Sequence, residues 1–238
     1  MNLNKKYRLI LLFLTISHLT YAQFAKIIDK DGYVNVRKEA SISGPVVSKI
    51  KTDEIVYAFP DEKDKNWVMI DYTDHQNQSI TGYVHSSRIK FIESYREITS
   101  TTFDENEAIF VAKDIIVEIR SGKFDYENNK KYFSSTKYDG YTVEDKFKGQ
   151  EVWGTDGTIP TSHYTSIKAT IKGKTVQIPE KDIETLFNVN NEFAASYYDD
   201  EHDCLFITST NGDGAGGYVV LFEIVGGKYK ARVVTMPF

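Results

Sequence analysis

A single cysteine, Cys204, in 238 residues excludes an internal disulfide framework and any zinc site built from paired cysteines. Positive charge is also in short supply. With 29 Lys and Arg against 34 Asp and Glu, the net charge is -5, and a broad phosphate-neutralising face is excluded. Nucleic acid is therefore not an expected partner. Proline is sparse, at five residues, and no apolar run approaches the roughly 18 to 20 residues that cross a bilayer. What is abundant is aromatic: 16 Tyr and 14 Phe in a chain that is 41% hydrophobic and 26% charged. That composition belongs to a globular, strand-rich protein rather than to a disordered, collagen-like or coiled-coil one.

The first residues have the layout of a secretory signal. Lys5, Lys6 and Arg8 precede the apolar run Leu9 to Thr20, which ends at Tyr21-Ala22. Cleavage near Ala22 is expected, leaving a secreted or periplasmic chain with no transmembrane segment. The mature chain then has 26 basic and 34 acidic residues, a net of -8. A free thiol in an oxidising compartment is expected to pack in a strand rather than react.

From Phe24 to Glu93 the chain breaks into short alternating runs separated by turn residues. Tyr33 to Val36 alternates, Ile55 to Phe59 is apolar, and Trp67 to Tyr72 puts Val68 and Ile70 on one face. Thr81 to Val84 and Ile89 to Ile92 follow. Five strands in so short a segment suit a small closed barrel.

The residues Tyr33-Val34-Asn35-Val36-Arg37, Ser41 to Ile50, Asp53 to Val56, Asn66 to Ile70 and Gly82 to Ile89 resemble, in order and spacing, a bacterial SH3-type domain. Tyr83 stands where that family often has Trp, and the insert Thr73 to Ile80 is longer and more polar than its usual connection. The resemblance implies recognition of peptidoglycan or an extended peptide, in a groove between the loops Arg37 to Val47 and Thr73 to Ile80. Tyr33, Trp67, Tyr72 and Tyr83 are the side chains able to form a shallow aromatic groove there. The competing reading is that Trp67 or Tyr83 fills the barrel core. Arg37 reads as a structural cap on nearby carbonyls, and His85-Ser86-Ser87 as a turn.

The remainder divides into a polar linker, 94–107, and a second domain, 108–238, with no recognisable family. Segment 23–93 has 10 basic and 11 acidic residues, whereas 94–238 has 16 and 23. In the second domain Phe110 to Arg120 reads as a strand. Tyr138 to Tyr141, Lys172 to Lys174 and Gly226-Gly227 read as hairpin turns, and Pro179 to Asn188 as one short helix. The fold class expected is mainly β: a small SH3-like barrel followed by an antiparallel sheet with that helix.

Chemical motifs in this half are weak. Asn211 to Gly217 is followed by a strand, which removes the dinucleotide-loop reading, and it lacks the ligand spacing of an EF-hand. A glycine-rich hairpin or bulged loop remains. Asp199 to Asp203 packs four acids and His202 together, either a weak cation site or a solvated turn. Cys204 with His163 or His202 is raw material for a papain-like peptidase, but Leu205-Phe206-Ile207 after it is a strand, not the start of a helix. These residues point to a secreted, non-enzymatic binding protein without cofactor or metal. The alternatives are a cell-wall hydrolase with its catalytic unit in 108–238, and an inhibitor or immunity-type partner whose acidic domain steers a basic protein.

Overall fold

The computed structural model describes residues 22–74, 76 and 78–237. The segment 1–22, expected as a secretory signal, thus lies outside the described residues except for Ala22. No described helix is long and apolar enough to cross a membrane.

The β-branched and aromatic runs form strands almost throughout. The first sheet takes β1 (Gln23–Ile27), β2 (Tyr33–Arg37), β3 (Val46–Lys51), β4 (Ile55–Phe59), β5 (Trp67–Thr73), β6 (Ser79–His85) and β7 (Ile89–Phe91). Their order is β3-β2-β6-β5-β4-β1-β7. Ala25, Ile27, Val36, Ile50, Ile70 and Val84 share one core, so the sheet curls around it. It does not close into the barrel expected from sequence, and it has seven strands rather than five. The three-residue β7 is spent on β1 and runs into a 3-10 turn at Ile92–Ser94, which leaves the edges β3 and β7 unpaired with each other.

The segment 94–107, expected as a linker, carries β8 (Arg96–Glu97) and β9 (Ser100–Phe103). The stretch Phe110 to Arg120 is not one strand but the hairpin of β10 (Glu107–Ala112) and β11 (Ile115–Lys123), turned at Lys113 with φ of 45°. One helical turn, α1 (Tyr126–Asn129), precedes β12 (Phe133–Tyr138), β13 (Tyr141–Phe147) and β14 (Gln150–Glu151). Then come β15 (Ser162–Ile171), β16 (Lys174–Gln177), β17 (Ala194–Asp199), β18 (Cys204–Asn211), β19 (Tyr218–Val225) and β20 (Lys228–Thr235).

The helix expected at Pro179 to Asn188 is only a 3-10 turn at Glu180–Asp182. Beyond it the backbone pairs with Trp153 instead: the Trp153 N–H donates to the Thr185 carbonyl, and the Phe187 N–H donates to the Trp153 carbonyl, both at 3.0 Å. Ile183 and Leu186 then enter one core while Phe187 joins another, with Phe124 and Phe147. Tertiary pairing overrides the helical spacing of the apolar residues.

Two five-stranded sheets stack in this half, ordered β16-β15-β11-β10-β9 and β20-β19-β18-β17-β8. Val117, Ile119 and Ile167 from the first interdigitate with Leu205, Ile207, Val220 and Phe222 from the second. The other face of β18 and β19 carries Cys204, Phe206, Val219 and Leu221, which pack on Phe24, Ile55, Tyr57 and Tyr95. The sheet ending in β20 is therefore the middle of three layers. That explains the unbroken apolar run Tyr218 to Phe222, because a strand buried on both faces has no polar alternation.

Candidate functional site

The alternation of β5 and β6 sorts their side chains. Val68, Ile70 and Val84 face the core, so Trp67, Met69 and Tyr83 must face outward. Register then aligns Phe59 of β4 with Met69, and Met69 with Tyr83, as a cross-strand row, while Trp67 pairs with His85. Trp67 meets the His85 ring edge-on at 5.4 Å. Phe59, Trp67, Met69 and Tyr83 are the floor of a groove of about 620 Å³, whose wall is the segment Pro60 to Asp64, with Ala40 at the rim. The Asp64 carboxylate accepts the N–H groups of Asn66 and Trp67 at 3.0 and 3.3 Å and so fixes where β5 begins. Asp61 in the same way accepts the Lys63 N–H at 2.8 Å.

Of the four aromatics expected in one groove, the fold brings together Trp67 and Tyr83 only. Tyr33 lies on the outside of β2 near the β3 edge, 39% exposed, with the Lys49 ammonium 4.2 Å above its ring. Tyr72 belongs to a second concavity; its hydroxyl donates to the Glu54 carboxylate at 3.1 Å, and burial, helped by that charge, pushes it up to about 12. The loops Arg37 to Val47 and Thr73 to Ile80 do not face each other across one groove. Ala40, from the first, opposes Pro60 to Asp64, whereas Thr73, Asp74 and Ser79 line the second concavity. Arg37 donates to the Gly44 carbonyl at 2.7 Å, bracing the β2–β3 loop. Phe59 and Met69 were missed by sequence, although Met69, two residues from Trp67 on an alternating strand, lies by that rule on the same face.

The second concavity, about 880 Å³, opens between the first sheet and the β20 edge of the middle layer, with Trp153 and Glu151 at its far side. At the junction is an ionic cluster in which Lys26, Asp199 and Glu223 are buried and Asp53 and Lys230 reach solvent. Lys26, 4% exposed, lies 2.9 Å from the Asp53 carboxylate and 3.9 Å from that of Asp199. Burial opposes its charge, but the Asp53 contact together with the nearby Cys204 and Asp199 outweighs burial and holds the ammonium above its ordinary value. Lys230 reaches the buried Glu223 at 3.1 Å and the Asp53 carbonyl at 2.8 Å, so the two halves are tied by charge as well as by apolar packing.

The other sequence candidates are structural in their contacts. Cys204 begins β18 fully buried, its thiol donating to Glu223 at 3.5 Å, and burial pushes its pKa far up. His163 packs edge-on against Phe124, and burial lowers its pKa. In the acidic turn, Asp199 pairs with His202, Asp200 with Arg96, and Asp203 with Lys172 and the Tyr198 hydroxyl. Those carboxylates point to separate partners rather than to a common centre. The loop Asn211 to Gly217 is the glycine-rich turn between β18 and β19; Gly212 has φ of +68°, and a Cβ there would come within 2.4 Å of the Gly216 carbonyl. Comparison of the chain with protein-family models, with curated proteins and with solved structures returned no match.

Proposed function

We propose that this protein is a secreted, non-catalytic binding protein whose N-terminal sheet seats an extended envelope ligand, peptidoglycan or a peptide, in the Trp67–Tyr83 groove. The observation that carries this reading is the outward row Phe59, Met69 and Tyr83 beside Trp67, an apolar floor held on three hydrogen-bonded strands. Aromatic side chains offer large contact area with little conformational freedom to lose, and an extended ligand arrives preformed. The bacterial SH3-type resemblance of the segment is consistent with the same ligand class. A thiol-dependent hydrolase would need an accessible, activated cysteine, and the buried, hydrogen-bonded Cys204 does not support one.

The test is co-sedimentation of the protein with purified insoluble peptidoglycan, with the supernatant assayed for released muropeptides. Trp67→Ala and Tyr83→Ala should each weaken retention by about tenfold or more, and Tyr33→Ala should leave it unchanged. Retention by a Trp67→Ala variant with an intact circular dichroism spectrum would refute the groove, and release of muropeptides would refute the non-catalytic assignment.

A further inference from the structure

Among the described residues the strand β20 has a free side. It ends the middle sheet, pairing with β19 alone, and at eight residues it is the longest of the strands that end a sheet among the described residues. Half the backbone N–H and C=O groups of an edge strand point away from its neighbour, which makes such an edge a template for another strand. Proteins commonly blunt such edges with lysine, and β20 carries Lys228, Lys230 and Arg232. Two of these do not serve as a screen, because each is drawn to a partner within the protein. Lys230 turns to Glu223, and Arg232 donates to the Asp182 carbonyl at 3.0 Å.

The edge is also recessed. Ala231 to Thr235 are half-buried, since they form one wall of the cleft between the first sheet and Trp153. A strand laid against β20 would run between the two walls, its alternate side chains facing the first sheet and Trp153 in turn. The walls select its charge. Asp71 and Asp74 stand on one and Glu151 on the other, apart from Glu54, which the Tyr72 hydroxyl engages, while the cationic groups of the cleft are the already engaged Lys230 and Arg232. From the free edge, its recess and this surplus of carboxylates, we infer that the cleft is a second binding site, which takes a basic, extended segment of a partner protein as a sixth strand on β20.

Main-chain hydrogen bonds would supply the affinity, with the alternating cationic side chains choosing the partner. This site is separate from the Trp67 groove and does not depend on it. A displayed library of random peptides, each about ten residues long to match the strand, would be selected on the immobilised protein. The enriched peptides should carry Lys or Arg at alternate positions, protect β20 amides from hydrogen exchange, and lose binding when alternate amides are N-methylated. Asp71→Lys with Glu151→Lys, on opposite walls, should weaken them about tenfold at unchanged melting temperature, and wild-type binding should fall as salt rises. Trp67→Ala should not alter binding. No enrichment, enrichment of acidic peptides, tolerance of N-methylation, or protection confined to another part of the surface would each overturn the proposal.

Discussion

At Gly82 a missing side chain lets two strands meet. A Cβ there would stand 2.6 Å from a Val36 methyl and 2.7 Å from the Arg37 carbonyl, so β2 could not close on β6 beside the groove. Tyr83 is aimed outward next to that contact, which is how a core constraint orients a groove-lining ring. Cys204 shows burial acting on ionisation instead. Its thiol, ordinarily titrating near 9, is pushed up by burial and by the Glu223 carboxylate. Above pH 9 the unfolded chain therefore loses a proton that the folded chain keeps, and stability falls as pH rises. Tyr57 and Tyr197, raised from 10 to about 12, continue the loss at higher pH. Urea midpoints measured between about pH 8 and pH 10 should decline in the wild type, and Cys204→Ala should flatten the decline above 9. Equal slopes for the two proteins would show that the thiol is not protected in the folded state.

Among the elements, the stretch 94–107 is the most instructive because its polarity conceals a structural strap. β8 pairs with β17, Arg96 makes a two-pronged ion pair with Asp200 at 2.7 Å, and Ile98 is 1% exposed in the core of the stacked sheets. Ile98→Ala should destabilise the protein by about 2–4 kcal/mol in urea unfolding, as a core truncation does. A true linker position would change stability by less than about 0.5 kcal/mol. Alternation made most strands of both halves legible, along with the hairpins at Tyr138 to Tyr141 and Lys172 to Lys174. The same rule exposes Trp67 and Tyr83 together. It could not separate Tyr33 and Tyr72 from them, because which strand lies beside which is a long-range pairing that local pattern does not encode. The failed helix at Pro179 to Asn188 has the same origin, since the backbone partner that displaces it, Trp153, is distant in sequence.

At the scale of the whole molecule, three layers share two interfaces, and the middle sheet spends both faces on packing. Phe24, Ile55 and Tyr57 of the first sheet meet Phe206, Val219 and Leu221 of the second, with Lys26, Asp53, Glu223 and Lys230 beside them. The N-terminal half is thus not a detachable module, and a 108–238 fragment would lack β8 and β9 and uncover that apolar face. Two of the concavities that the layering leaves divide the chain's two tryptophans between them, Trp67 in the groove and Trp153 in the cleft. Each is therefore a reporter for one site. The most direct test of the groove assignment is a titration of the Trp153→Phe protein with soluble peptidoglycan fragments, following Trp67 emission. A saturable change, abolished by Tyr83→Ala, is the predicted result; emission that stays flat while the fragments bind would contradict it.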